Sequence, residues 1–396
     1  MISAYIPSPS ISSFSLGPIT IRFYAIMILI GIIAATWITT IRWKKVGGTF
    51  DQVLDIAIVA VPCGIIGARL YHIITTPSLY FGPGRNWTDM FKIWNGGLGI
   101  WGAVLLGGLG AWAWCRHRRY PMALLADCLA PALLVAQAIG RLGNWFNQEL
   151  YGSCTTLPWG LKLNSSSAAV AMSGSYYNAG SCGVDGPFHP TFLYELIWNL
   201  IGAVLLIVLT QQVRKRFKAG SLFALYIMWY TLGRVWIENL RIDYAVKVLG
   251  LRINVWVSIC VFVAAAVAFV LLQRYSVFTK ILSDRLRVVT ALEAKVDAGS
   301  MTAQQLKDTY KKERKNEQAQ AQASRDLKKK ERREHRREYE EAKARVLARK
   351  KMEEEDKSHN SSPATSADSA SSSSSSSSSL PSPSTSSSPS SDSSEE

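Results

Sequence analysis

Seven apolar runs shape what this 396-residue chain can become. They cover Ile19–Ile41, Val53–Thr75, Gly97–Cys115, Pro121–Ile139, Phe192–Thr210, Ser221–Ile237 and Val255–Leu272. Each is close to the roughly 20 residues that cross about 30 Å of hydrocarbon as a helix. Inside a bilayer the backbone must satisfy its own hydrogen bonds, so runs this continuous predict helices rather than open sheet. The expected fold class is all-α: a polytopic membrane protein with about seven transmembrane helices.

Charge supports that partition. Residues 1–273 hold 20 of the 44 Lys and Arg but only 9 of the 29 Asp and Glu. So few acids over such a length is not the mixed surface of a soluble domain. Met1–Pro18 carries no Lys or Arg, unlike the basic start of a cleaved signal peptide, so the first run reads as a retained helix. Basic residues follow the odd-numbered runs: Arg42, Lys44 and Lys45; Arg116, Arg118 and Arg119; Arg214, Lys215, Arg216 and Lys218. The positive-inside rule then places those loops and the C-terminus in the cytoplasm, with the N-terminus and the 140–191 loop outside. The loop with Arg241, Lys247 and Arg252 is more basic than this pattern wants, and a functional role would explain the excess.

The expected organisation is a membrane-embedded domain over 1–275, a charged helical cytoplasmic extension over 276–357 and a Ser-rich disordered tail over 358–396. The extension lacks a sustained a/d heptad, which argues against a long coiled coil. A solvated helix is one reading of it; attraction to anionic headgroups or RNA is the other. The tail is too polar to bury a core. The six cysteines show no metal spacing. Cys154 and Cys182 share the outward loop, where an oxidising compartment would permit a disulfide; the sequence leaves their pairing open. There is no GxxxxGK[ST] or HExxH motif, so no metal or nucleotide cofactor is expected, and no nucleic-acid partner is expected.

Ionisable residues at membrane depth are costly and usually face a polar cavity or substrate path. Here they gather at one level. Arg141, Asn144, Asn147 and Glu149 lie in Gly140-Arg-Leu-Gly-Asn-Trp-Phe-Asn-Gln-Glu-Leu-Tyr-Gly152, directly after the fourth run. Glu195 lies in His189-Pro-Thr-Phe-Leu-Tyr194-Glu195, and Arg234, Glu238 and Arg241 end the sixth run. Arg234 and Glu238 are four apart and share a helix face. Interfacial ion pairing and snorkelling would explain any one pair; three acids and three arginines at one depth point to a site. Arginine's planar fork suits phosphate, and at this depth a phospholipid headgroup is the available phosphate. Tyr24, at the outward start of the first run, could complete the pocket or belong to an aromatic belt. The glycines of Asn95-Gly-Gly-Leu-Gly-Ile-Trp101-Gly allow close approach of a helix or a lipid. His189 is a weaker candidate base.

Together these blocks resemble the prolipoprotein diacylglyceryl transferase family over roughly residues 15–275, as do Gly67-Ala-Arg69-Leu-Tyr71 and Trp94-Asn-Gly-Gly. The resemblance implies an enzyme of the bacterial cell membrane. It moves the diacylglyceryl group of phosphatidylglycerol onto the lipobox cysteine thiol of a prolipoprotein, forming a thioether and releasing glycerol phosphate. The partners implied are phosphatidylglycerol, prolipoprotein signal peptides and membrane lipids. The family's phospholipid-binding arginine falls on Arg141 and its second essential arginine on Arg234. Glu149, Glu195 and Glu238 join them as catalytic candidates, and Asn144, Gly152, Tyr24, Tyr194 and Arg241 as substrate-binding ones. One departure matters: many members carry a His, proposed as the thiol base, where this chain has Trp101. Indole cannot accept a proton, so a carboxylate among Glu238, Glu149 and Glu195, with His189 behind them, is expected to replace it.

Overall fold

A computed structural model of the protein describes residues 5–17, 19–82, 84–93, 96–164, 187–213, 217–243 and 245–359. Cys182, Trp94, Asn95 and most of the Ser-rich tail lie outside these described residues; Cys154 itself takes part in a disulfide. Helices dominate: α1 Phe23–Lys45, α2 Phe50–Thr75, α3 Ile100–Arg118, α4 Met122–Asn147, α5 Thr191–Val213, α6 Ser221–Leu240, α7 Ile253–Tyr275, α8 Thr279–Asp297 and α9 Ala303–His359. Short strand pairs decorate one end. β1 (Ile6–Pro7) runs parallel to β4 (Leu161–Lys162), while β2 (Ser13–Leu16) with β3 (Ile19–Arg22) and β5 (Lys247–Val248) with β6 (Leu251–Arg252) are antiparallel.

The protein is a polytopic helical membrane protein. Helices α1, α2, α4, α5 and α7 are long and apolar enough to cross a bilayer by length and composition. The other two expected runs fall on α3 and α6. α3 has 19 residues and ends in Arg116, His117 and Arg118, and α6 carries Arg234 and Glu238 in its last two turns. Apolar side chains such as Ile33, Trp37, Ile58, Val204 and Val270 point outward, as lipid-facing residues do.

Helix ends shift by a few residues throughout, and two boundaries differ in kind from the sequence expectation. Residues 19–22 are a strand, because β-branched Ile19, Thr20 and Ile21 alternate and pair with Ser13–Leu16; α1 therefore starts at Phe23. At the other extreme α4 runs on through Asn147, so Gly140–Asn147 is helix rather than loop.

Helix pairs meet where side chains are small or reciprocal. A Cβ on Gly102 of α3 would strike the Gly67 carbonyl of α2 and come within 2.5 Å of Tyr71 Cβ. α5 and α6 lock through Trp198 and Trp229, whose rings stack with centroids 4.4 Å apart. Each indole N–H donates to the other's carbonyl oxygen at 3.0 Å, and each ring lies on a glycine of the other helix, Trp229 on Gly202 and Trp198 on Gly233. Ala130, Leu134, Ala203, Leu206, Leu222 and Tyr226 fill the space between α4, α5 and α6.

The end of the bundle opposite the strands is tied by polar contacts. Thr49 and Gln52 form a capping box at the start of α2, and Gln52 Oε1 also accepts from Trp43 Nε1 at 2.8 Å. Asp127 of α4 accepts the backbone N–H of Gly220 at 2.8 Å and of Phe223 at 3.1 Å, capping α6 from a neighbouring helix. Helix α8 packs here. Leu286 is 0% exposed, Ser283 Oγ donates to the Val46 carbonyl at 2.6 Å, and Glu293 accepts from Gln52 Nε2 and Tyr120 OH, both at 2.9 Å. The sequence reading treated this stretch as part of a solvated extension; its buried residues, Ser283, Leu286 and Val289, are only three and are spaced at helical intervals among charges. Residues from Thr309 onward form a second unit, which within the described residues is the rest of α9, with Tyr339, Val346, Leu347 and Met352 exposed.

The glycine contacts give a direct test. Gly102→Ala should destabilise the detergent-solubilised protein by about 1–3 kcal/mol, the usual cost of overpacking. Gly108→Ala, where nothing lies within 4 Å of the new Cβ, should leave stability unchanged or raise it by helix propensity. Thermal unfolding of the two variants side by side checks this.

Candidate functional site

The last turns of α4 build one wall. Arg141, Asn144 and Asn147 recur every three residues and share a face. Gln148 (φ 53°) and Leu150 (φ 61°) adopt the left-handed conformation and turn the chain back on the helix end. The Glu149 carboxylate consequently lies over the helix it has just left: its Oε1 accepts from Asn144 Nδ2 at 2.9 Å and from Asn147 Nδ2 at 3.1 Å. Its Oε2 makes no hydrogen bond or ion pair among the described residues, and the residue is exposed. Asn144 Oδ1 in turn accepts from Arg141 Nη1 at 3.2 Å. Gly143 admits α1: a Cβ there would lie 2.7 Å from the ring of Tyr24. Tyr24 thereby comes within electrostatic reach of both Glu149 and Arg141.

From Arg141 an alternating chain of charge crosses the bundle. Arg141 Nε meets Glu195 Oε2 of α5 at 2.5 Å, and Glu195 Oε1 meets Arg234 Nη1 of α6 at 3.1 Å. Arg234 Nη2 meets Glu238 Oε2 at 2.7 Å. Glu238 also receives Arg241 Nη1 at 3.2 Å, Arg252 Nε at 3.1 Å and Asn254 Nδ2 at 2.9 Å. Asp243 closes the far end, bound by Arg241 Nε at 2.8 Å and Arg252 Nη2 at 2.8 Å. Glu238 is 0% and Glu195 4% exposed. Removing one partner of a buried ion pair strands the other charge, at a cost of about 3–5 kcal/mol. Within the chain Arg141 Nη2 remains uncommitted among the described residues. A donor fork facing an oxyanion, beside an exposed carboxylate oxygen, is what this arrangement offers chemically.

The sequence-derived residues divide in two groups. Arg141, Glu195, Arg234, Glu238 and Arg241 are brought into one ion-pair chain, and Tyr24, Asn144 and Glu149 adjoin its α4 end. Gly152 takes part through its backbone. It pairs with Arg241 as an isolated bridge and donates its N–H to the His189 carbonyl at 2.9 Å, and a Cβ there would lie 2.8 Å from His189 Cβ. Tyr194 belongs to a neighbouring aromatic group: its hydroxyl meets His189 Nδ1 at 3.1 Å and accepts from Trp159 Nε1 at 3.3 Å, and its ring lies against Trp236. Burial lowers the His189 pKa below its ordinary value, which favours the neutral ring. Trp101, in the first turn of α3, is 54% exposed. Arg69 has a scaffold task. Its guanidinium donates to the carbonyls of Asp89, Met90, Lys92, Gly96 and Gly97 and lies over the Tyr80 ring, so it holds the α2–α3 connection. Sequence reasoning missed Asp243, Arg252 and Asn254 as members of the site; its one signal was the excess of basic residues in their loop. No three His, Cys, Asp or Glu side chains gather to hold a metal ion among the described residues.

Comparison with known proteins agrees with this architecture. The sequence pattern of the family described as prolipoprotein diacylglyceryl transferase matches residues 12–271. A protein of Bifidobacterium adolescentis named phosphatidylglycerol–prolipoprotein diacylglyceryl transferase is 64% identical over 293 residues, which are 74% of this chain and 87% of that protein. Proteins of the same name from Bifidobacterium longum and Streptomyces griseus are 57% identical over 292 residues and 49% over 270. These cover 73% and 68% of this chain, and 92% and 78% of the respective relatives. The matched region contains every member of the ion-pair chain, and the chain belongs to the prolipoprotein diacylglyceryl transferase family.

Proposed function

We propose that this protein transfers the diacylglyceryl group of phosphatidylglycerol to the lipobox cysteine thiol of prolipoproteins, with glycerol phosphate as the leaving group. The observation that carries this reading is the buried chain Arg141–Glu195–Arg234–Glu238, which holds two guanidinium groups on one carboxylate and leaves Arg141 Nη2 uncommitted among the described residues. The phosphodiester carries one negative charge, and the departing phosphate develops a second as the C–O bond breaks. Arginines fixed in advance by carboxylates stabilise that charge without reorganising. In this reading Arg141 and Arg234 grip the phosphate, and Glu195 and Glu238 act as the counter-ions that aim them. Asn144 and Tyr24 line the headgroup pocket. Gly152 and Arg241 hold the 151–155 loop against the end of α6, and Tyr194 shapes the adjoining wall with His189 and Trp159.

The thiol must lose its proton, because the thiolate is the nucleophile and a free cysteine has a pKa of about 8.5. The arginines favour the anion, and Glu149 is the group that takes the proton. Both oxygens of Glu195 and of Glu238 are held in ion pairs, whereas Glu149 is exposed with Oε2 open. Trp101 supplies no base.

The same reading sets the protein in the bacterial cell membrane with the site end outside and the C-terminus in the cytoplasm. Lys44, Lys45, Arg116, Arg118, Arg119 and Lys218 all lie at the end opposite the site, which is the pattern of the positive-inside rule. Residues 1–275 form the transferase domain and 276–357 a cytoplasmic extension.

Phosphatidylglycerol vesicles, a lipobox peptide and a mass measurement on the peptide cysteine test the activity. The unsubstituted protein should add one diacylglyceryl group, and absence of that mass shift removes the proposal. Arg141→Ala should insert normally and lose transfer by about 10²–10³-fold, the scale of losing one preorganised oxyanion donor.

A second measurement isolates the proton step. Glu149→Gln should lose about 10²–10⁴-fold with the cysteine peptide, as loss of a general base does. The same variant should recover most of that loss with a selenocysteine peptide, whose more acidic selenol needs no base. Equal losses with both peptides would assign Glu149 to binding instead.

A further inference from the structure

The Glu238 carboxylate is held by more than its own helix can provide. Arg234 and Arg241 reach Oε2 from α6. Oε1 is left to Arg252 and Asn254, which come from the β5–β6 hairpin and the first turn of α7. The hairpin turns at Leu249 (φ 50°) and Gly250 (φ 80°), both left-handed as a two-residue turn requires. Arg252 ends β6 and is the N-cap of α7. A cation at a helix N-terminus faces the positive end of the macrodipole, the unfavourable sign. It is nevertheless 6% exposed: Nη2 donates to Asp243 at 2.8 Å and Nη1 to the Arg241 carbonyl at 2.8 Å, while Nε lies in an ion pair 3.1 Å from Glu238 without hydrogen-bond geometry. Asp243 takes a bidentate grip from Arg241 as well, at 2.8 and 2.9 Å. The unfavourable helix-end position is thus offset by two carboxylates, one of which is the partner of Arg234.

We propose that Arg252, steadied by Asp243 and assisted by Asn254, is a positioning residue for transfer: it fixes the Glu238 carboxylate and thereby sets the direction of the Arg234 guanidinium. This rests on the phosphate-gripping role of Arg234 given above and extends it to a residue that touches neither the headgroup nor the thiol. Arg252 is buried and its guanidinium faces Glu238, Asp243 and the Arg241 carbonyl, so it is turned to protein groups rather than to a substrate. Its influence runs through one carboxylate, shared with Arg234 at 2.7 Å on the opposite oxygen.

Two readouts on the full detergent-solubilised chain test this. The first needs no activity: modification of Arg234 by phenylglyoxal, followed by peptide mass spectrometry. Arg252→Gln should speed adduct formation at Arg234 several-fold while leaving Arg69, held by its own carbonyl cage, unchanged. Arg234 equally protected in both proteins overturns the proposal. The second is a double-substitution cycle on transfer. Arg252→Gln should lower kcat/KM about 10–100-fold, the range for loss of a group that orients a reacting residue. In a Glu238→Gln background it should add less than about threefold, because groups acting as a unit are non-additive. Equal losses in both backgrounds overturn it, since a separate structural role multiplies. Arg252→Lys, which keeps the charge without the fork, should recover part of the loss. Should Arg252→Gln fail to fold, Arg252→Gln with Asp243→Asn removes the pair and keeps the charge count. That protein should fold and still lose transfer, and full activity in it overturns the proposal. Absence of transfer by the unsubstituted chain would overturn the transferase reading, and the adduct rates would still decide whether Arg252 sets Arg234.

Discussion

Four helices converge at one end of this protein because arginine and carboxylate alternate across them. Arg141 on α4, Glu195 on α5, Arg234 and Glu238 on α6, and Arg252 at the head of α7 form a chain in which each carboxylate bridges two or more guanidinium groups. Isolated, any one of these charges would be too costly to bury. In sequence, each neutralises the next, and Asn144, Asn254 and Asp243 add further hydrogen bonds and charge along it. Replacing such a chain by well-packed apolar residues would often be neutral or favourable for stability alone. Its presence is therefore better explained by what the arginines do than by what they hold together.

A site that depends on distances near 3 Å needs helices that do not slide. The reciprocal Trp198–Trp229 lock fixes α5 against α6, the helices that carry Glu195 and Arg234. Gly102 against Gly67 does the same for α3 and α2. At the far end Asp127 ties α6 to α4 through backbone N–H groups, so the two helices that bear Arg141 and Arg234 are joined at both ends. Precision in the first contacts rests on rigid elements behind them.

The membrane class and the core of the site were legible in the sequence for one reason: nine acids in 273 residues make each conspicuous. Glu195, inside an apolar run, and Glu238, at the end of another, could be there only for a purpose. Arg252, Asp243 and Asn254 were not legible, because they lie in a polar connection where such residues are ordinary. Only the tight turn at Leu249–Gly250 brings them onto Glu238. The continuation of α4 through Asn147 was hidden because the apolar run ends at Ile139 and polar residues follow; Gly143 makes room there for Tyr24. Helix α8 was hidden by its surroundings: three buried positions among many charges look like a solvated helix until Val46, Gln52 and Tyr120 are seen beneath them. The Trp–Gly lock needs two helices at once and leaves no trace in either alone.

The charge count of the site bears on turnover. Arg141, Arg234, Arg241 and Arg252 stand against Glu149, Glu195, Glu238 and Asp243, four of each sign. A cluster of bare arginines would bind a phosphate tightly and release the more highly charged product slowly, because the extra negative charge strengthens its attraction to the guanidinium groups. In the neutral cluster a phosphate must compete with Glu195 for Arg141 and Arg234. The lipid is then held by the part of the guanidinium fork that the carboxylate leaves free, and the product departs without stranding a positive charge. In the proposed mechanism the proton taken by Glu149 removes one negative charge at the moment the leaving phosphate gains one, so the sum around Arg141 stays constant through the step. Return of that proton to solvent from an exposed carboxylate then restores the balance for the next lipid.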